Sequence, residues 1–271
     1  METKRKSLEE IFKMEEHTMR TSITKIEHDK ITTKGYSQED LINNLTYPEM
    51  IFLLLRNDLP SKKELKMFNH ILVSFCDHGL TPPSTQAARL ITSSGSPLNV
   101  ALSGALLSFG VNHAGAIEKA MIIFQDSIEN NEDLTDEVID TIAIDITNQY
   151  TKIKKHIPGF GHRYHDADPR ARKILELAIE EELIGNHTKL ALAIEKNLDE
   201  KNIKLNIDGI NAGILLDLGF KPENGIGLFI IGRLPGLIAH ILEERNEENI
   251  FRKLYELEEV PYAGDEDKTI N

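Results

Sequence analysis

PGFGHRYHDADPR, Pro158 to Arg170, is the stretch on which the fold turns. Gly159 and Gly161 precede His162, and glycines there let backbone and ligand approach closely. Asp168–Pro169 sets a capping acceptor directly before a proline suited to the first helical position. A helix is therefore predicted to start here, with Arg170 in its first turn, and to run through Leu175, Leu177, Ala178 and Leu183 to Gly185. The stretch sits in a basic island, Lys152 to Lys173, that carries Lys152, Lys154, Lys155, Arg163, Arg170, Arg172 and Lys173. Just upstream, Glu129 to Asp145 is heavily acidic, and the whole chain has a formal net charge of −13. A basic island in an acidic chain points to a small polyanionic ligand, the ordinary alternative being a solvated helix face.

Outward from the island, helical signals dominate. Ser61 and Glu64 form a capping-box pair after Pro60, and Leu65, Phe68, Leu72 and Phe75 recur at helical spacing towards Gly79. Pro97 to Phe109 is small and apolar nearly all round, the composition of a helix buried between others. Further helices are predicted over Ile210 to Leu218, stopped by Gly219, and over Glu223 to Glu244, with a kink at Pro235. Thr21 to Thr33 alternates around His28–Asp29 and predicts a short hairpin. The fold class is mainly α.

With 271 residues the chain can build one large core or two modest domains. Its 40% hydrophobic and 28% charged residues are the balance of a soluble globular protein. The sequence offers no run of about 18 apolar residues, and METKRKSLEEIFKMEEHTMR at the N-terminus has no signal-peptide core. The single cysteine, Cys76, excludes an internal disulfide, so a cytoplasmic location is expected. The negative charge argues against nucleic acid as a partner, because phosphate backbones would be repelled.

Four segments embed titratable residues among glycines or apolar residues: Cys76 to Ser84 with His78, Gly110 to Ala116 with His113, Pro158 to Arg170 with His162, and Asn206 to Gly213 with Asp208. Each has an ordinary explanation taken singly. His78 would be a helix C-terminal histidine on the dipole, His113 a satisfied core group, and Asp208 a helix N-cap. A histidine metal site at His156, His162 and His165 is opposed by the neighbouring lysines and arginines, so no metal is expected.

Taken together and in this order, the segments resemble the citrate synthase superfamily, whose signature loop has a glycine-flanked histidine eight residues before the arginine of an Asp-Pro-Arg turn, here His162 and Arg170. Gly35 to Leu65 resembles the family's entry segment and Phe229 to Glu244 its late arginine helix, so the resemblance covers about Thr21 to Gly264. It implies a citrate synthase-like fold, a large helical domain with a smaller one inserted: 1–116 the first part of the large domain, 117–213 the small domain, and 214–271 the return and tail. It assigns His113 to the thioester oxygen, Asp208 to the proton of the acetyl carbon, and His162 to the carbonyl or hydroxyl proton. His78, Arg170 and Arg233 would hold oxaloacetate or the matching half of citryl-CoA, with Arg252 (or Lys253) reaching in from a neighbouring subunit. Lys154, Lys155, Gly159, Gly161 and Arg163 would serve coenzyme A, which enters as a thioester substrate rather than a tightly bound cofactor.

Within the superfamily the compact length, DHGLTPPS and GFGHRYHDADPR resemble the small citryl-CoA lyases and the C-terminal module of ATP-citrate lyase. The implied activity is cleavage of citryl-CoA to acetyl-CoA and oxaloacetate by a homo-oligomer, with a separate enzyme to form citryl-CoA. GVNHAGAIE and NIDGINAG depart from the usual synthase patterns around the acyl pocket. The alternatives are a small citrate or 2-methylcitrate synthase, or a non-catalytic helical protein that binds acyl-CoA or a partner.

Overall fold

The computed structural model describes residues 19–129, 131, 133–163, 166–253, 255–265 and 268–270. Among them are eleven α-helices and one small sheet. The residues divide into two compact units, one up to Pro60 and one from Ser61 onward.

The first unit holds β1 (Thr24–Glu27), β2 (Lys30–Thr33) and β3 (Tyr36–Ser37), followed by α1 (Gln38–Asn44) and α2 (Tyr47–Arg56). The predicted hairpin is present, with Glu27 opposite Lys30 and Asp29 at φ 57° in the turn. A third antiparallel strand, too short to show alternation, pairs Thr33 with Tyr36.

The second unit runs α3 (Lys62–Phe75), α4 (Pro83–Ser93), α5 (Leu98–Leu107), α6 (Gly115–Glu129), α7 (Asp136–Lys152), α8 (Pro169–Glu180), α9 (Asn186–Asn197), α10 (Ile207–Asp217) and α11 (Gly225–Glu247). The Ser61–Glu64 capping box starts α3 as expected, and its Met67, Phe68, Ile71, Leu72 and Phe75 are buried. α11 is the hub: it packs against α3, α4, α5 and α6. By length and composition alone α11 would pass for a membrane span. Its buried Leu228, Phe229, Gly232, Leu237 and Ile241 give that composition a place in the core. Pro235 lies within it, and helical structure continues on both sides.

Several predicted boundaries move, each for a local reason. The helix begun at Asp168 ends at Glu180, because Glu182 adopts φ 60°. Gly185 is instead the N-cap residue of α9, and a Cβ there would lie 2.4 Å from the Asp217 carboxyl carbon. α10 begins at Ile207 rather than Ile210, because Asn206 caps it by accepting from the amides of Asp208 and Gly209. α5 is not buried all round. Ala101 and Ala105 pack into a cluster with Ala88, Leu237 and Ile241, while Val100 is exposed and Leu107 is 86% exposed.

Candidate active site

The loop after α7 and the segment that leads into α10 are clamped together through their backbones and the Asn206 side chain. Gly161 N donates to Lys204 O (2.7 Å), Asn206 N donates to Gly159 O (3.0 Å), and Asn206 Nδ2 donates to Gly161 O (2.8 Å). Gly159 has φ 89°, and a Cβ on it would lie 2.6 Å from Gly209 Cα. A Cβ on Gly209 would lie 2.3 Å from Gly159 O. Only glycine at both positions allows this approach. It brings His162, three residues after Gly159, and Asp208, which precedes Gly209, to the same cavity, where His162 Nε2 lies 3.9 Å from Asp168 Oδ2.

Around this clamp lies a cavity of about 280 Å³ lined by His78, His113, Gly161, His162, Arg163, Asp168, Arg170, Asp208, Phe229 and Arg233, among others. Three separate stretches of chain bring in the histidines. His78 follows the end of α3, its Nδ1 is 3.1 Å from Thr81 Oγ1, and its ring centroid is 5.7 Å from that of His162. Burial, then the charges of Arg170 and Arg233, hold its pKa below the ordinary histidine value. His113 closes a tight turn in which Gly110 and His113 exchange backbone hydrogen bonds and Ala114 takes φ 65°. Its ring stacks on Phe109 at 4.8 Å, and its Nε2 is 2.8 Å from the buried Ser84 Oγ. Burial, then Arg233 and Arg163, push its pKa down to about 4, so the imidazole is neutral at pH 7.

Two aspartates in one cavity have opposite characters. Asp168 caps α8 through the Arg170 amide (3.0 Å) and receives the Ile207 amide (3.2 Å). It also takes the Arg170 guanidinium in bidentate fashion, Nε to Oδ1 at 3.0 Å and Nη2 to Oδ2 at 2.9 Å. Burial alone would raise its pKa, but the Arg170 hydrogen bonds and charge and the two amides outweigh it and hold it low. Asp208 has no such partners. Its residue is half-buried, yet Oδ1 is sealed from solvent without a hydrogen-bond partner, and burial raises the pKa to about 6 against the pull of Arg170 and Arg233. A pair of carboxyls pushed apart in this way suits one to hold a cation and the other to exchange a proton. The expected ordinary role of Asp208 as N-cap belongs to Asn206 instead.

Arg233 comes from α11 and is 2% exposed. Its Nε donates to Phe75 O at 2.6 Å, its guanidinium lies 5.0 Å from the Phe229 ring centroid, and Nη1 is buried with no hydrogen-bond partner. A buried guanidinium N–H without an acceptor is free to meet an anionic group. The cavity thus gathers His78, His113, His162, Arg163, Arg170, Asp208 and Arg233, with backbone from Gly161.

Other residues expected at the site lie outside this cavity. Lys154, Lys155 and His156 line a second one of about 230 Å³ with Tyr150, Phe160 and Lys201. Gly159 faces Gly209. Arg252 pairs with Glu244 at 2.7 Å and Glu248 at 3.0 Å on its own chain, and Lys253 lies 3.8 Å from Glu256. Of the histidines weighed as metal ligands, His165 lies outside the described residues. Ser84, Phe109 and Phe229, the supports of His113, were not anticipated. Ser84 and Phe229 reach His113 from distant segments, which a single sequence does not mark, whereas Phe109 stands only four residues before it.

Residues 14–74 and 66–254 match the family profile described as "Citrate synthase, C-terminal domain". The chain belongs to the citrate synthase family. It is 36% identical to the solved citryl-CoA lyase from Hydrogenobacter thermophilus, with a TM-score of 0.85 over 94% of this chain and 98% of that one. The fold is also shared with the ATP citrate lyase from Methanothrix soehngenii, in complex with citrate and coenzyme A, at 22% identity and a TM-score of 0.80 over 96% of this chain and 44% of that one. The citrate synthase of Heyndrickxia coagulans is 30% identical over 218 residues, 78% of this chain and 56% of that protein. The citrate/2-methylcitrate synthase of Bacillus subtilis is 30% identical over 219 residues, with the same coverage. The chain thus spans little more than half the length of these two synthases.

Proposed function

We propose that the protein cleaves citryl-CoA to acetyl-CoA and oxaloacetate. The observation that carries this is the meeting, in one cavity, of a neutral imidazole, a second histidine, a carboxyl with raised pKa and two arginines. His162 accepts the proton of the tertiary hydroxyl, the C–C bond breaks, and its electrons move to the thioester oxygen. His113, neutral at pH 7, donates a hydrogen bond to that developing enolate oxygen. Asp208 then protonates the departing carbon to complete the acetyl methyl group, which a carboxyl with pKa about 6 does far more readily near neutrality than an ordinary aspartate. Arg170, oriented by Asp168, and Arg233 hold the carboxylates of the oxaloacetate half, with His78 beside them.

Coenzyme A enters as part of the substrate. In this proposal Arg163 and Gly161 meet it in the main cavity, and Lys154 and Lys155 take its phosphates. Residues 117–213 act as the smaller domain between 1–116 and 214–271. A homo-oligomer is also proposed, favoured by the exposed apolar side of α5, with Arg252 or Lys253 as candidates to cross between subunits. A cytoplasmic location and a separate citryl-CoA-forming enzyme complete it. The near-full mutual coverage with the Hydrogenobacter lyase favours cleavage. The 30% identity to synthases favours, as second reading, condensation of an acyl-CoA with oxaloacetate by the same residues. Citrate formation requires hydrolysis of the thioester, whereas cleavage leaves it intact. Purified protein given citryl-CoA should therefore form oxaloacetate and acetyl-CoA with no free thiol. Release of coenzyme A and citrate instead would reject the lyase proposal.

A further inference from the structure

His78 is carried by a turn, not a helix, and what holds that turn is not itself in the cavity. α3 ends at Phe75, Gly79 takes φ 63°, and the next helix begins only at Pro83. Within the turn Asp77 Oδ2 accepts from the Gly79 amide at 3.1 Å. Its other oxygen, Oδ1, accepts from His240 Nε2 on α11 at 2.9 Å.

The α11 residues that reach this segment share one helix face, at spacings of three and four. Arg233 Nε donates to Phe75 O. Gly236 comes so close that a Cβ on it would lie 2.1 Å from Cys76 O. His240 binds Asp77. One stripe of α11 thus grips three consecutive residues, and the fourth is His78. His240 is oriented in turn: its Nδ1 lies 3.4 Å from Glu243, which pairs with Arg89. Arg89 also binds Glu244 at 2.5 Å and Glu248 at 3.0 Å.

We propose that His240 is a positioning residue: by holding Asp77 it fixes the 77–81 turn so that His78 faces His162 in the cavity. It is too far along α11 to be one of the cavity's own lining residues. The ordinary alternative is a surface ion pair of little consequence, the usual worth of an exposed pair. Two facts weigh against it. The His240 side chain is only 16% exposed, and its contact continues a grip already made at the two preceding residues.

This rests on the proposed role of His78 in holding substrate, so the test has one readout that needs no ligand. In the wild type, NMR titration should find His78 below the ordinary histidine value of about 6.5, because it is buried and held beside Arg170 and Arg233. In His240→Ala the turn loosens and the His78 value rises towards ordinary, while His240→Gln, whose amide still donates to Asp77, restores it. With citryl-CoA, His240→Ala should raise KM by about tenfold and change kcat much less, since displacement of a positioning group costs binding geometry first. In the Asp77→Ala background His240→Ala should add nothing further. An unchanged His78 titration in a folded His240→Ala protein would overturn the proposal, as would a His240→Gln variant as impaired as His240→Ala. A shifted His78 titration without any effect on citryl-CoA would leave the positioning role standing and reject the substrate role of His78.

Discussion

Replacing Asp208 by asparagine should stabilise the protein at neutral pH while abolishing turnover. The carboxyl stands at a pKa of about 6 in the folded protein against an ordinary value of 3.8, with Oδ1 sealed and unpartnered. Because the folded value is raised, this group favours folding only when protonated. Its contribution is lost as pH rises from 3.8 through 6. The full difference of about 2.2 pH units corresponds to about 3 kcal/mol. By pH 5 roughly half of that is already lost, and about 1.4 kcal/mol remains to be lost between pH 5 and pH 8. Asparagine does not ionise, so the stability gap between variant and wild type should widen by about 1.4 kcal/mol over that interval. Packing differences of the amide cancel in this comparison, because they are the same at both pH values. Urea unfolding at pH 5 and pH 8, with equal slopes required of both proteins, measures the gap. A gap that does not change with pH, or that narrows, would refute the account of Asp208 as a strained, functional carboxyl.

Other outcomes follow from the same geometry. His113, with its folded pKa lowered to about 4, should make the protein acid-labile: stability is lost as pH falls from 6.5 through 4, and His113→Gln should lack that slope in acid unfolding curves. The kcat/KM for citryl-CoA cleavage should fall about tenfold per pH unit above pH 6, as Asp208 loses the proton it must deliver, whereas a condensing enzyme would instead fall below pH 6. Gly209→Ala forces a Cβ to within 2.3 Å of Gly159 O, so a loss of about 1–3 kcal/mol in unfolding experiments should accompany a fall in kcat as His162 and Asp208 separate. Arg233→Lys cannot supply both the bond to Phe75 O and a fork to a carboxylate, and KM should rise about 10–100-fold with the fold intact by circular dichroism.

Much of this site was readable before the fold. The GFGH loop, the capped start of α8 and the family resemblance together named His78, His113, His162, Arg163, Arg170, Asp208 and Arg233, all of which line one cavity. Local chemistry made those residues legible, since glycines, capping residues and prolines act over a few positions. What stayed hidden depends on contacts between distant segments. The difference between Asp168 and Asp208 could not be read from two short acidic motifs. It arises because Ile207 N and Arg170 both reach Asp168 and nothing satisfies Asp208 Oδ1. The apolar composition of α5 suggests burial all round, yet Ala101 and Ala105, with Leu98 and Leu102, pack inward while Val100 and Leu107 face out. The pairing of Arg252 with Glu244 on α11, eight residues away, likewise has no signal in the sequence.

The most direct test of the proposed cleavage is the ratio of kcat/KM in the two directions. One reaction supplies the purified protein with citryl-CoA and the other with acetyl-CoA plus oxaloacetate. Cleavage should dominate, and both activities should disappear together in Asp208→Ala and His113→Ala. Robust condensation with no turnover of citryl-CoA would contradict it.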